Sequence, residues 1–290
     1  LPPYAPVSEL QEKYGSPNPK GLMEYISTCK REFKPQTKFQ YSCLNYITLQ
    51  HIIETITGQS LRDFAKENIF DILGMQYTDY LPTIQQQDGK WINTVACPWM
   101  DRIAPTEKQK DGSVLCGQVH DPLARILNGG ISGNAGIFSN ANDIGILAAA
   151  LLNGGEYNGR RILSPLGVKT MCTVPRELTA FGRTPGWDIF SPYASNDTAV
   201  ILLVNAVHPE DRHSIVRLRS LVANAVAASI CPPAQVYTDH YYKRFLQFET
   251  ETPISPKDIV MVGNSLTENG GNWSKRLNKK NIRNRGIIGD

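Results

Sequence analysis

The stretch "GQVHDPLARILNGGISGNAGIFSNANDIGILAAALLNGG" occupies residues 117–155 and ends in a strongly periodic segment. Polar side chains between Ser139 and Asp143 are typical of a helix N-terminus, where they cap free backbone N–H groups. Apolar residues then recur at helical spacing, at Ile144, Leu147, Ala148, Leu151 and Leu152. The glycines that follow, Gly154 and Gly155, are typical of a helix end. The segment therefore predicts a helix with one apolar face.

Two further helices are predicted upstream of this stretch. Residues 41–58 read "YSCLNYITLQHIIETITG", with Gly58 in position to end a helix. Its apolar residues Leu49, Ile52, Ile53 and Ile56 recur at helical spacing and form one face of the predicted helix. Ser60 and Asp63 then resemble a capping pair that opens a second helix. The residues expected to face inward in the second helix are Leu61, Phe64, Ala65 and Ile69.

Residues 77–135 are rich in Pro, Gly, Asp and Gln and show few periodic runs. We expect a long, irregular excursion with short strands, and a segment of this length without helices is often functional surface. "TAVILLVN" at 198–205 is apolar and rich in β-branched residues, which predicts a buried strand. Residues 211–230 return to helical spacing, with Ile215, Leu218, Val222, Ala225 and Val226 as the apolar positions.

After residue 230 the sequence contains helix-breaking prolines and an acidic, proline-bearing segment. "CPPAQ" at 231–235 breaks the preceding helix, and a short aromatic helix is expected over 237–248. The acidic, proline-bearing "ETETPISPKD" that follows is typical of a linker, so we place a domain boundary between about 231 and 256. Beyond it, "DIVMVG", "NWSKRL" and "KNIRNRG" predict a strand, a helix and a second strand. A β-α-β order predicts a parallel pair of strands.

Composition excludes several classes of protein. The chain has 290 residues, 41% hydrophobic and 20% charged, so it can bury a substantial core. A net charge of +3 is too small to indicate a nucleic-acid or anionic-membrane partner. No apolar run approaches the roughly 18–20 residues that span a bilayer, and "LPPYAPVSEL" at the N-terminus lacks the features of a signal peptide. The six cysteines are spread singly along the chain, which predicts no metal site. Their thiols are expected to be buried or unreactive, with a disulfide between distant cysteines as the alternative.

Several separated blocks resemble, in the same order, the serine β-lactamase-like and penicillin-binding superfamily in its class C and esterase branch. They are "QYSCLNY" at 40–46, "RIAPTEK" at 102–108, the stretch 117–155, and "VILLVNAVHPED" at 200–211. The resemblance implies an α+β domain whose antiparallel sheet is flanked by helices. In that family an S-x-x-K serine is acylated and a motif tyrosine shuttles protons with the lysine, which implies that Tyr41 is the general base. A phenol can act as a base only beside cations that stabilise phenolate.

The chain departs from this family pattern at three places. Cys43 stands where the family usually has Asn or Asp. The only S-x-x-K before Tyr41, Ser27 to Lys30, lies eleven residues upstream of it and is interpreted as a coincidence. "RTPG" at 183–186 is a poor version of the H-T-G or K-T-G motif, and we expect the strand pair that carries the motif to be missing between about Ser195 and Asn196, with a surface loop as the alternative. Tyr41 could also be a packed tyrosine at a helix start.

A second resemblance covers residues 256–290. "IVMVGNSLTENGGNWSKRL" and "NIRNRGIIGD" are similar to the opening of the SGNH, or GDSL, hydrolases, whose fold is flavodoxin-like. It implies that Ser265 is a nucleophile and that the backbone N–H groups of Ser265 and Gly289 form an oxyanion hole. Asn264 replaces the usual Asp, and no D-x-x-H base follows Ser265; the nearest histidine, His240, lies upstream. A helix N-cap is the alternative role for Ser265.

These observations predict a mixed α/β chain in three parts. Residues 1–230 form a partial β-lactamase-like domain, 231–256 a helix and linker, and 257–290 the first β-α-β unit of an SGNH domain. We expect a serine hydrolase fused to an SGNH esterase, without cofactor or metal, that acts on small-molecule or cell-wall acyl or peptide substrates in the periplasm or outside the cell. This chain is expected to be an inactive fragment. The alternative is a non-catalytic module that binds glycans or peptides. His120 and Asp121 are expected to be structural.

Overall fold

The structure is a computed structural model that describes residues 1–34, 37–174, 184–187, 198–208, 214–230, 239–251, 255, 257–263, 269 and 271–286. The chain divides into two compact units, Leu1–Ser220 and Leu221–Asp290, and each is described by itself. Within the described part of the chain, no helix combines the length and the apolar character needed to cross a membrane.

The first unit is mainly helical. Its helices are α1 (Val7–Tyr14), α2 (Pro19–Thr28), α3 (Cys43–Thr57), α4 (Leu61–Ala65), α5 (Asp71–Leu73), α6 (Ala141–Leu152) and α7 (Pro165–Cys172), and α8 (Val216–Ile230) crosses into the second unit. A π-helical turn, Lys66–Phe70, joins α4 to α5; a second, Leu123–Leu127, and a 3₁₀ turn, Met100–Arg102, lie in the predicted excursion. The strands are β1 (Asp79–Tyr80), β2 (Thr83–Gln85), β3 (Trp91–Asn93), β4 (Ile137–Phe138), β5 (Glu156–Tyr157) and β6 (Arg160–Arg161).

Strand pairing in this unit is limited to three short antiparallel ladders among the described residues: β1 with β4, β2 with β3, and β5 with β6. The β1–β4 ladder joins the start of the excursion to the segment just before α6, with Tyr80 opposite Ile137. The excursion is therefore irregular, with short strands, as its composition predicts.

Two clusters of buried side chains form the core of the first unit. The first cluster joins α1, α2, α3 and the turn at 123–127, and its buried members are Ala5, Leu10, Leu22, Ile26, Cys43, Leu44, Ile47, Leu123 and Leu127. The second cluster joins the α4–α5 segment to α6, and its buried members are Leu61, Ala65, Phe70, Leu73, Met75, Tyr80 and Ala150. The first cluster fixes the start of α3, where Tyr41 lies.

The predicted helix ends are confirmed at several caps. Ser60 accepts a hydrogen bond from the backbone N–H of Asp63 at the start of α4, and Gly58 ends α3 with φ of 69°, a left-handed conformation that suits glycine. Asn140 caps α6 in the same way as Ser60 caps α4, through the N–H of Asp143. The predicted stripe of α6 is only partly correct, because Asp143 and Ala150 are its buried residues and Leu152 is exposed.

The predicted helix is present as α3, but its apolar face at Leu49, Ile52 and Ile56 is not the buried one. The buried residues of this helix are Cys43, Leu44, Ile47 and Gln50, whereas Leu49, Ile52 and Ile56 are exposed. Both sets follow helical spacing, so periodicity alone could not choose between them. Packing against α2 and the 123–127 turn selects the face that begins at Cys43. Gln50 belongs to this face because all its polar atoms find partners there.

The predicted buried strand at 198–205 is also wrong. These residues form no strand, and Val200, Leu203 and Val204 are exposed. A central strand needs neighbours on both sides to pair its backbone groups, and no described residue pairs with this segment in a ladder. Instead, the segment is tied to the excursion by side chains, with Asn205 Nδ2 donating to the Pro105 carbonyl at 2.8 Å.

The second unit contains a helix followed by a β-α-β segment. Its elements are α9 (Asp239–Thr250), β7 (Ile259–Gly263), α10 (Trp273–Arg276) and β8 (Ile282–Gly286). Strands β7 and β8 pair in parallel from Ile259 opposite Ile282 to Gly263 opposite Gly286, which confirms the predicted pairing. Asp258, at the start of β7, lies 3.4 Å from the Arg283 Nε atom. The division of the chain into domains at 230 and 257 stays a prediction.

Candidate active site

Tyr41 precedes the first residue of α3 by two positions, and 57% of its surface is exposed. The next two residues are fixed by the N-terminal segment of the chain. Ser42 Oγ donates a hydrogen bond to the Pro2 carbonyl at 2.5 Å, and the Cys43 N–H donates to the Pro3 carbonyl at 3.0 Å. The backbone around Tyr41 is thus held while its phenol stays accessible to a ligand.

Tyr4 and Asp121 form the second part of this site. The Tyr4 hydroxyl donates to Asp121 Oδ2 at 3.0 Å and accepts from the Leu123 N–H at 3.3 Å. The other carboxylate oxygen of Asp121 accepts from the Ala124 N–H at 2.9 Å. Asp121 therefore caps the turn at 123–127 and ties it to the N-terminal segment beside Tyr41.

The neighbours of the Tyr41 hydroxyl raise its pKa above the ordinary value for tyrosine. Cys43 Sγ lies 3.6 Å from the Tyr41 hydroxyl, and this hydrogen bond is the largest cause that raises the pKa of Tyr41 to about 12. Partial burial and the charge of Asp121 raise the pKa further. Burial and the charge of Asp121 also raise the pKa of Tyr4. No cation among the described residues contributes to the Tyr41 shift, so the site as described favours phenol over phenolate.

His120 makes contacts that hold the backbone next to Asp121. Its Nε2 atom lies 3.6 Å from a carboxylate oxygen of Glu107, and its carbonyl accepts from buried Arg125 at 2.7 Å. Arg125 also donates to the Val119 carbonyl at 2.5 Å. The His120–Asp121 pair therefore positions the excursion and the turn at 123–127.

Most of the other residues predicted for a site lie outside the part of the chain that the structure describes. Ser265 and Gly289 lie outside the described residues, as do Arg183, Ser195 and Asn196. Ser27, the serine of the S-x-x-K pattern at 27–30, lies in α2, and its hydroxyl donates to the Glu24 carbonyl at 2.7 Å. Within the described residues, no three His, Cys, Asp or Glu side chains are placed to hold a metal ion.

Sequence reasoning missed two members of the site. Tyr4 has no motif, because its contact with Asp121 joins residues 117 positions apart. The sequence predicts a structural role for Asp121, which it has, yet its charge also acts on Tyr41. The signal that could have revealed it is the placement of Asp121 three residues before Ala124, the spacing of a side-chain cap.

Comparison with known proteins identifies the family to which the chain is similar. The sequence pattern of the family described as Beta-lactamase matches residues 1–224. A protein of Escherichia coli (strain K12) with the provisional name D-alanyl-D-alanine carboxypeptidase is 34% identical over 179 residues, which are 58% of this chain and 38% of the relative. A protein with the same name from Salmonella agona (strain SL483) is 30% identical over 199 residues, 64% of this chain and 43% of the relative.

Among solved structures, a D-stereospecific amidohydrolase from Streptomyces sp. is similar to 60% of this chain and 45% of its own, with 17% identity and a TM-score of 0.39. The chain spans about two fifths of the length of the curated relatives it matches. Since the family pattern covers far more than half of the residues, including Tyr41 and Asp121, the chain belongs to the β-lactamase family of serine hydrolases.

Proposed function

We propose that the first unit provides the proton-transfer residues of a serine acyl-transfer site. The substrates of this site are peptides or other acyl compounds of the bacterial cell envelope, and the site acts in the periplasm or outside the cell. The observation that carries the proposal is the exposed side chain of Tyr41 just before α3, beside backbone that Ser42 and Cys43 fix. Relatives named as D-alanyl-D-alanine carboxypeptidases support a peptide substrate.

In acyl transfer, a serine oxygen attacks the carbonyl carbon, and the bond to the leaving amine or alcohol then breaks. Two proton movements accompany these steps: one away from the serine hydroxyl and one onto the leaving group. Tyr41 as a phenol can protonate the leaving group, but it cannot accept the serine proton until it is ionised. Ionisation at neutral pH needs a cation beside the hydroxyl, because Cys43 and Asp121 both favour the phenol.

The chain by itself is therefore inactive or weakly active in this proposal. The sequence has no S-x-x-K at the spacing of the family, and no described cation lowers the pKa of Tyr41. A fluorescent penicillin and an activated ester test this directly. We expect neither labelling of the first unit nor an ester burst, and Ser27→Ala serves as the control for the coincidental S-x-x-K. Labelling that disappears in Ser27→Ala would show an acylated serine where we place none.

For the second unit we propose the opening of an SGNH esterase with Ser265 as nucleophile and the N–H groups of Ser265 and Gly289 as oxyanion donors. The parallel pairing of β7 and β8 supports this, because ligands of open α/β sheets bind at the carboxyl ends of the strands. Those ends are Gly263 and Gly286, two and three positions before Ser265 and Gly289.

A fluorophosphonate probe tests the proposal for Ser265. Without a D-x-x-H base in this sequence, we expect slow labelling at most, abolished by Ser265→Ala. A burst of p-nitrophenyl acetate hydrolysis that vanishes in Ser265→Ala would contradict the expected inactivity of the chain. Labelling that is unchanged in Ser265→Ala would contradict its role as nucleophile.

A second candidate function is a non-catalytic module that binds peptides or glycans. The raised pKa of Tyr41 favours it, because a phenol held protonated is a hydrogen-bond donor rather than a base. Binding of an acylated D-alanyl-D-alanine peptide without turnover, weakened by Tyr41→Phe, would support this function over hydrolysis. Turnover of the same peptide would exclude it.

A further inference from the structure

A cleft of about 500 Å³ lies between the start of α2 and the middle of α3, in the first unit. Its lining residues are Pro19, Lys20, Met23, Ile47, Gln50, His51, Glu54, Thr55 and Asn128. The volume falls within the roughly 300–1,000 Å³ of small-molecule sites. Tyr4, Tyr41 and Asp121 are not among these residues, so the cleft is separate from the candidate active site.

The floor of the cleft is fixed by Gln50. Its side-chain oxygen accepts from Asn128 Nδ2 at 2.8 Å and from the Gly133 N–H at 2.9 Å. Its amide nitrogen donates to the Ile131 carbonyl and to Glu54 Oε1, each at 3.1 Å. Both donors and both acceptor sites of Gln50 are therefore used within the fold, which makes the cleft preformed and leaves the recognition of a ligand to other side chains.

Glu54 retains hydrogen-bonding capacity in this cleft. Its Oε1 atom accepts from the amide nitrogen of Gln50 and from the Leu61 N–H at 3.0 Å, which fixes the orientation of the carboxylate. Its second oxygen makes no hydrogen bond with a described residue. A held carboxylate with a free oxygen is suited to an ammonium group, because a charge-assisted hydrogen bond forms without reorganising the side chain.

Lys20 supplies the opposite charge on the other wall of the cleft. It is exposed and has no acidic partner within 4 Å among the described residues. Lys20 is the second residue of α2, where a cation opposes the helix dipole, so it does not serve to stabilise α2. Lys20 and Glu54 line one cleft without forming an ion pair, so both charges are available to a ligand in the cleft.

We propose that this cleft binds a zwitterionic amino acid or short peptide with an apolar side chain. The ligand's ammonium group would bind Glu54 and its carboxylate would bind Lys20. The apolar side chain would pack on Pro19, Met23 and Ile47, the apolar members of the lining. The proposal concerns binding only and does not depend on the acyl-transfer function proposed above.

Isothermal titration calorimetry of the full chain with alanyl-leucine at neutral pH tests this proposal. We expect the free dipeptide to bind, and the N-acetylated and C-amidated forms to bind about tenfold more weakly, since each lacks one charged hydrogen bond. Glu54→Gln and Lys20→Met should each weaken binding of the free dipeptide by about tenfold. Glu54→Gln should leave the affinity of the acetylated form unchanged, because that form cannot use the charge of Glu54.

Two control variants remove one lysine charge and one glutamate charge outside the cleft. Lys30→Met removes an exposed lysine beyond the other end of α2, and Glu12→Gln removes an exposed carboxylate of α1. Neither should change the affinity, and thermal unfolding should show that all four variants stay folded. Glu54→Gln retains an oxygen that can accept from the Leu61 N–H.

Two results would overturn the proposal: equal affinities of the free and the blocked dipeptides, or no binding at about 10 mM dipeptide. Because the titration measures binding without turnover, absence of hydrolysis and absence of dipeptide binding are separate results.

Discussion

The thiol of Cys43 lies 3.6 Å from the hydroxyl of Tyr41, at the position where the chain departs from the motif that it resembles. This contact is the largest cause that raises the pKa of Tyr41 to about 12. The residue that departs from the family motif is thus also the largest cause of the raised pKa of the candidate base.

Replacement of Cys43 should change the acidity of Tyr41. In Cys43→Ala we expect the pKa of Tyr41 to fall toward its ordinary value, because the thiol contact is lost while partial burial and Asp121 remain. An alkaline titration followed by tyrosinate absorbance, with Tyr41→Phe subtracted, measures this change. Cys172→Ala is the control, since Cys172 is exposed at the end of α7. An unchanged pKa in Cys43→Ala would show that the thiol does not act on Tyr41.

Asp121 should contribute to stability as well as to the acidity of Tyr41. Asp121→Asn removes the charge that accepts hydrogen bonds from Tyr4 and the Ala124 N–H, so we expect a loss of about 1.5–3 kcal/mol in the free energy of unfolding. Tyr4→Phe removes the first of these contacts and the hydrogen bond from the Leu123 N–H, and it should cost about 1–2 kcal/mol. Urea unfolding measures both, with Asp111→Asn, at an exposed turn, as the control. Equal losses in Asp121→Asn and Asp111→Asn would contradict this role.

The first unit should lose stability at alkaline pH. Burial and neighbouring groups raise the pKa values of Tyr41 and Tyr80 to about 12, from 10.0. A raised pKa in the folded state stabilises the fold below pH 10, and this contribution is lost as the pH rises from 10 towards 12. Thermal unfolding across this range should show the decline, and Tyr80→Phe should make it smaller. An unfolding temperature that does not change between pH 10 and pH 12 would contradict the raised pKa values of Tyr41 and Tyr80.

The two faces of α3 provide a matched pair of substitutions. Leu44 is fully buried in the first core cluster, so Leu44→Ala should reduce the free energy of unfolding by about 2–5 kcal/mol. Ile56 is 78% exposed, so Ile56→Ala should change it by less than about 0.5 kcal/mol. Denaturant unfolding of the two variants decides which face packs. A larger loss in Ile56→Ala would show that the face predicted from periodicity is the buried one.

Local signals in the sequence predicted local structure well. The caps at Ser60 and Asn140, the glycine end of α3 at Gly58 and the parallel pair β7–β8 follow from interactions within a few residues or from the β-α-β order. The features that the sequence did not predict correctly or completely depend on distant partners. The inward face of α3 depends on contacts with residues 123 and 127, and the 198–205 segment lacks strand neighbours among the described residues.

In the candidate site, too, the sequence predicted the features with a local motif and not the contacts between distant residues. Tyr41 was found from its motif, and the departure at Cys43 was visible in the sequence. The pairing of Tyr4 with Asp121 could not be predicted, because it joins residues 117 positions apart through a hydrogen bond that no local pattern encodes. The effect of Cys43 also needed the structure, since only the distance between sulfur and hydroxyl shows that the thiol reaches the phenol.

The most direct test of the central claim, that this chain holds Tyr41 as a phenol, is the pKa of Tyr41 itself. Nuclear magnetic resonance of the full chain labelled with ¹³C at the tyrosine Cζ atom, with Tyr41→Phe to assign the signal, measures it during an alkaline titration. We predict a pKa of about 12. A value below 10, the ordinary value for tyrosine, would show that a cation stabilises the phenolate and would contradict the account.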